Sequence, residues 1–164
     1  MKNILLIVLL SVLSVQSKAQ NLSIPENPKL EVAEDYKKYE DLVLRCVSYL
    51  YDNPVNVNGE KRLECMSFLV KWMDGAPNVT VFIHAELVDM KEFEVMFAYM
   101  GAFVEYALGH EDADELKIIS YAVKKSVSMY EKNEDHLKKG KVMRKLLRAK
   151  KKGKLDSYIK DVYR

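Results

Sequence analysis

The groups best placed to move a proton or hold a cation are those of His110-Glu111-Asp112-Ala113-Asp114-Glu115. An imidazole beside several carboxylates suits general acid/base work or an oxygen-rich cation site. A sparser set is His84-Ala85-Glu86. Each has a plainer explanation. Carboxylates favour the positive end of a helix dipole, which accounts for Asp112, Asp114 and Glu115 without any chemistry. The calcium-loop pattern fails, because no glycine stands at its sixth position. His136 sits in a basic turn, and no histidine has a serine or cysteine at motif spacing. Gly-x-Ser-x-Gly, a phosphate loop and His-Glu-x-x-His are absent. The expectation is therefore no catalytic residues, no metal and no cofactor. A small hydrolase or metal-dependent enzyme using His84, Glu86, His110 or Asp112 is the alternative. It requires at least two of these side chains to meet in one pocket.

Cys46 and Cys65 stand at about equal distance from the middle of a turn near residues 55–56. In an antiparallel helical hairpin such residues lie at the same height. A disulfide is thus a candidate, provided the Cα atoms come within about 7 Å. The plain alternative is two buried thiols acting as small apolar side chains. Without Cys-x-x-Cys or a histidine at matching spacing, neither a metal site nor a redox motif is indicated.

Charge gives a stronger signal. Residues 20–137 hold 12 Lys+Arg against 22 Asp+Glu, net −10, whereas residues 138–164 hold 12 against 2, net +10. Within 138–154 there is no acidic residue at all. The candidate binding residues are Lys138, Lys139, Lys141, Arg144, Lys145, Arg148, Lys150, Lys151 and Lys152. Charge runs are most often solvated faces. This one also suits an anionic envelope component, or an acidic protein surface, whether of its own body or of a homodimer partner. Nucleic acid is not expected, since no aromatic residues interleave the lysines as stacking platforms.

The elements that would position these groups read as helices. Residues 1–19 resemble a secretory signal, with Lys2, an apolar run over 4–10, and Ser17-Lys18-Ala19 before Gln20. Export, to the periplasm or beyond, is the expectation. No later stretch is long and apolar enough to span a bilayer, so the mature chain is expected to have no transmembrane segment. Residues 20–30 form an extended leader with Pro25 and Pro28, and 31–164 a single helical domain ending in the basic segment 138–164.

The spacing predicts an all-α bundle of four to five helices around a central apolar helix over about 90–108. Its stripe is Phe93, Met96, Phe97, Met100, Phe103, Val104, Ala107 and Leu108. Asp89 with Glu92, and Asp112 with Glu115, fit capping boxes, and Gly75 and Gly109 fit closing positions. A first helix covers about 32–51. A second, over about 60–73, turns Leu63, Met66, Leu69, Val70 and Met73 inward and leaves Trp72 off the stripe. Residues 78–88 read as an extended or single-turn connector that buries Phe82, with Ile83 as a second candidate, because a lone strand would have no partner. A fourth helix covers about 112–131 and a short one 141–152, closed by Gly153, with one or two final turns expected over 155–162. Most of the ten tyrosines fall at helical spacing and are better explained as core than as a sugar platform.

The Ala19-Gln20 end of the signal, the stretch Phe68-Leu-Val-Lys-Trp-Met-Asp-Gly-Ala-Pro-Asn78 and the end Leu146-Leu-Arg-Ala-Lys-Lys-Lys-Gly-Lys-Leu-Asp-Ser-Tyr-Ile159 are similar to a group of small, secreted, all-helical Bacteroidota proteins without an assigned activity. That resemblance implies an exported helical protein and supplies no catalytic residues. With the divided charge, it makes a non-enzymatic binding or accessory protein of the cell envelope the leading expectation.

Overall fold

The computed structural model describes residues 22–88, 91–110 and 112–163. Among them lie seven helices and no strand: α1 (Ala33–Lys38), α2 (Glu40–Asp52), α3 (Gly59–Met73), α4 (Phe93–Gly109), α5 (Glu115–Lys132), α6 (Lys141–Lys151) and α7 (Leu155–Tyr163). The fold is an all-α bundle, with more and shorter helices than the periodicity predicts. The expected signal over 1–19 falls outside the described residues.

Two breaks set the helix count, of which the one at Gly153 is expected and the one at Tyr39 is not. The first predicted helix divides at Tyr39, where φ is −97° and ψ −1°. There the Tyr36 carbonyl accepts the Trp72 indole N–H at 2.9 Å and the Tyr39 amide at 3.0 Å. The second break is Gly153, at φ +65°, a left-handed closure that side chains resist. The Lys154 amide reaches back to the Ala149 carbonyl at 2.9 Å there, and α7 begins at once.

α4 is the hub. Val95, Ala98, Tyr99, Ala102 and Phe103 pack into one core with α5, α6, α7 and the buried Leu87 and Val88. Phe97 and Val104 enter a second core made by α2, α3 and Leu22. A helix apolar around most of its girth is stable in water only when enclosed in this way. Phe93, expected in the stripe, instead lies 61% exposed at the open end.

Several local expectations shift. α3 buries Arg62, Cys65, Met66, Phe68, Leu69 and Trp72 and leaves Leu63 and Val70 outside. Its inward face is thus rotated from the predicted one, because Arg62 and Trp72 both find polar partners inside. In the connector Val79, Leu87 and Val88 are buried, while Phe82 and Ile83 stay exposed. Asp89 lies outside the described residues. Glu92 is itself the N-cap of α4, and its carboxylate accepts from the Lys138 amide at 2.8 Å instead of closing its own helix. α5 is capped by Asp114, which accepts from the Lys117 amide at 3.0 Å, and Asp112 lies exposed before it. Gly109 is the last residue of α4 and Gly75 follows α3, and neither takes a positive φ. Gly75 is needed for closeness: a Cβ there would stand 2.1 Å from the Tyr36 hydroxyl oxygen.

Candidate anion-binding surface

α6 is strongly amphipathic. Met143, Leu146 and Ala149 face the core at i, i+3 and i+6. The remaining positions put Lys141, Arg144, Lys145, Arg148, Lys151 and Lys152 on the solvent side, all exposed. The helix docks outermost in the bundle, against α5 and α7.

Few of these cations have partners. Lys150 pairs with Glu131 near the end of α5, and Lys139 lies 3.9 Å from Glu134. Lys139 Nζ also stands 6.0 Å from the Tyr130 ring centroid. Arg144 Nη1 donates to the Lys139 carbonyl at 2.7 Å, a contact with backbone rather than with a carboxylate. Among the described residues, Lys138, Lys141, Arg144, Lys145, Arg148, Lys151 and Lys152 make no ion pair within 4.0 Å. Like charges three and four positions apart repel, and cations at a helix N-terminus oppose its dipole. α6 carries both costs, with no acidic residue in its first turn and no side-chain cap.

No protein-family model, curated protein or solved structure matches the chain. Function must therefore be argued from its own geometry.

Both histidine rings of the set pack against tyrosines. The His84 ring packs edge-on against Tyr163 at 5.4 Å. The His110 ring stacks on Tyr106 at 4.0 Å, with Nδ1 3.1 Å from the Tyr106 carbonyl oxygen. Neither histidine hydrogen-bonds a carboxylate among the described residues, and Glu86 and Asp112 are exposed. No group of three His, Cys, Asp or Glu side chains able to hold a metal occurs among the described residues.

Cys46 on α2 and Cys65 on α3 face one another as two free, fully buried thiols. Hydrogen bonding to Cys65, then burial, pushes the Cys46 thiol far above the ordinary range. The same contact holds Cys65 lower, with help from Lys61.

Sequence reasoning missed a polar seam between α4 and its neighbours. Tyr51 of α2 donates to the Ala98 carbonyl. Tyr121 of α5 donates to Glu105 of α4 at 3.0 Å, and Lys125 lies 3.5 Å from the same carboxylate and 4.5 Å from the Tyr51 ring centroid. Burial and the Glu105 bond push the Tyr121 phenol up to about 12. The only sequence cue was Glu105 within an apolar helix. The seam ties α2, α4 and α5 together.

Proposed function

We propose that the chain is an exported, non-enzymatic binding protein of the cell envelope, in keeping with the small helical Bacteroidota proteins it resembles. Its contact surface is the outer face of α6. One observation carries this: the cations from Lys141 to Lys152 stand side by side and repel one another, and among the described residues only Lys150 has a carboxylate within 4.0 Å to offset the repulsion. An anionic surface would relieve it, at about 1 kcal/mol per basic residue brought against acidic lipid. Among the described residues no helix is long and apolar enough to cross a membrane.

A salt series with vesicles of phosphatidylglycerol and with acidic envelope polysaccharide tests it. Binding should be clear at low salt and fall steadily as ionic strength passes about 0.15 M, where the screening length is about 8 Å. Absence of binding at low salt would end the proposal.

Export also bears on the cysteines. In an oxidising compartment Cys46 and Cys65 close to a disulfide. The two thiols lose two protons and two electrons to a disulfide donor, which is reduced to two thiols. The loop closed is about 20 residues, worth about 3 kcal/mol by the chain-entropy relation. Thiol counting after unfolding should find no free thiol in protein from an oxidising compartment. Two free thiols there would remove this part.

A further inference from the structure

Beside the convex face of α6 lies a concave one. A groove of about 350 Å³ opens between α6 and α7, lined by Lys145, Arg148, Ala149, Lys152, Lys154, Ser157, Tyr158 and Asp161. Lys145, Arg148 and Lys152 fall at i, i+3 and i+7 along α6 and so share one side of it. The left-handed turn at Gly153 reverses the chain and brings Lys154 to the same wall. Four cations thus meet a single carboxylate, that of Asp161, and none of the five forms an ion pair within 4.0 Å among the described residues. The neighbouring carboxylate of α7, Asp156, is engaged with Lys124 and with the Ser120 hydroxyl at 3.4 Å.

We infer that this groove is a discrete site for a phosphomonoester. The inference rests on the reading of α6 as an anion-binding element and deepens it. A net excess of three positive charges suits a dianion better than a carboxylate or a phosphodiester. The guanidinium of Arg148 offers a planar fork that matches two phosphate oxygens, and the lysines act as point charges around it. The space exceeds what a bare phosphate needs. Tyr158 and Ala149 give an apolar wall for the attached group, as small-ligand sites commonly do. The phosphomonoester is either a soluble metabolite or a lipid head group, and both present the same terminal dianion.

Titration of the full chain with glycerol 3-phosphate, followed by amide chemical shifts, tests the soluble source. Vesicles containing phosphatidic acid, set against phosphatidylglycerol at equal surface charge, test the lipid one. Two charge-matched variants locate the site: Arg148→Gln with Lys152→Gln inside the groove, and Lys141→Gln with Lys151→Gln outside it. All four side chains are exposed, so both variants should fold. The groove pair should weaken glycerol 3-phosphate or phosphatidic acid roughly tenfold or more, and the outer pair less than about twofold. Equal losses from both pairs would overturn the groove while leaving the basic face standing, as would phosphatidylglycerol binding with no preference for the monoester. If no anion binds at low salt, both fall together.

Discussion

Two arginines mark the contrast between the two ends of this bundle. Arg62 of α3 is 2% exposed, yet every arm of its guanidinium is engaged. Nη1 donates to the Leu50 carbonyl at 3.2 Å and the Asn53 carbonyl at 3.0 Å, while Nε and Nη2 meet the Glu94 carboxylate. One side chain thereby satisfies the end of α2 and fixes α3 to α4. Arg148 of α6 is exposed, forms no ion pair within 4.0 Å among the described residues, and lines a groove. The first arginine is committed to structure because burying it without partners would be prohibitive. The second remains available because water already solvates it. Unpartnered charge, more than total charge, is therefore what the proposed contact rests on.

The largest test of the contrast is to remove Arg62. Arg62→Met should cost about 3 kcal/mol, because it strands Glu94 and two helix-end carbonyls. Glu94 is 21% exposed, which keeps the figure at the low end of a broken buried pair. Arg62→Met with Glu94→Leu should recover most of the loss. Urea unfolding measures both, and Arg148→Met under the same conditions should shift stability by less than about 0.5 kcal/mol. Comparable losses at the two arginines would erase the distinction.

The sequence spoke more clearly at the basic end. α6 has one apolar side at regular spacing, a run of cations on the other, and a glycine beyond its last turn, so every signal agrees. At α3 two apolar stripes compete, one through Leu63 and Val70, the other through Cys65, Leu69 and Trp72. What decides between them is polar: Arg62 meeting Glu94, and the Trp72 indole meeting the Tyr36 carbonyl. Both pairings are long-range in sequence, so local periodicity cannot see them. The Asp112–Glu115 run failed differently, since several adjacent carboxylates offer more than one capping register and only folding selects Asp114. The α6–α7 groove was half legible. Its cations lie in the basic run, but Ser157 and Tyr158 join them only through the reversal at Gly153.

The α4 seams offer a test of how firmly the halves are joined. Burial drives the phenols of Tyr51 and Tyr99 upward, and burial with the Glu105 bond lifts Tyr121 to about 12. Each is neutral in the fold and would ionise near 10 when unfolded. A raised folded value gives stability that is fully present below about pH 10 and lost as pH climbs through the folded value. Urea midpoints should therefore hold steady to about pH 10 and then decline toward pH 12. Absorbance at 295 nm should show several tyrosines resisting ionisation across that window in folded protein and none in urea. All tyrosines ionising near pH 10 in folded protein would mean that the seams are open to water.

The smallest effect discriminates best between structural and available charge. Lys141 begins α6 with its ammonium at the positive end of the helix, whose first turn holds no acidic residue. Lys141→Glu should raise stability by about 0.5 kcal/mol through the dipole. On α5, Lys117 pairs with Asp114 at 3.0 Å within the first turn. Lys117→Glu removes that pair and sets two acids together, but the dipole favours the new carboxylate, so the net change should lie near zero. Vesicle binding separates them further. If α6 is the contact surface, Lys141→Glu weakens binding while strengthening the fold, and Lys117→Glu, with the same change in net charge, affects binding far less. A gain in stability bought at the expense of binding is what a functional cation predicts. Equal effects on binding from both variants would show that only net charge matters, and that α6 holds no special place in it.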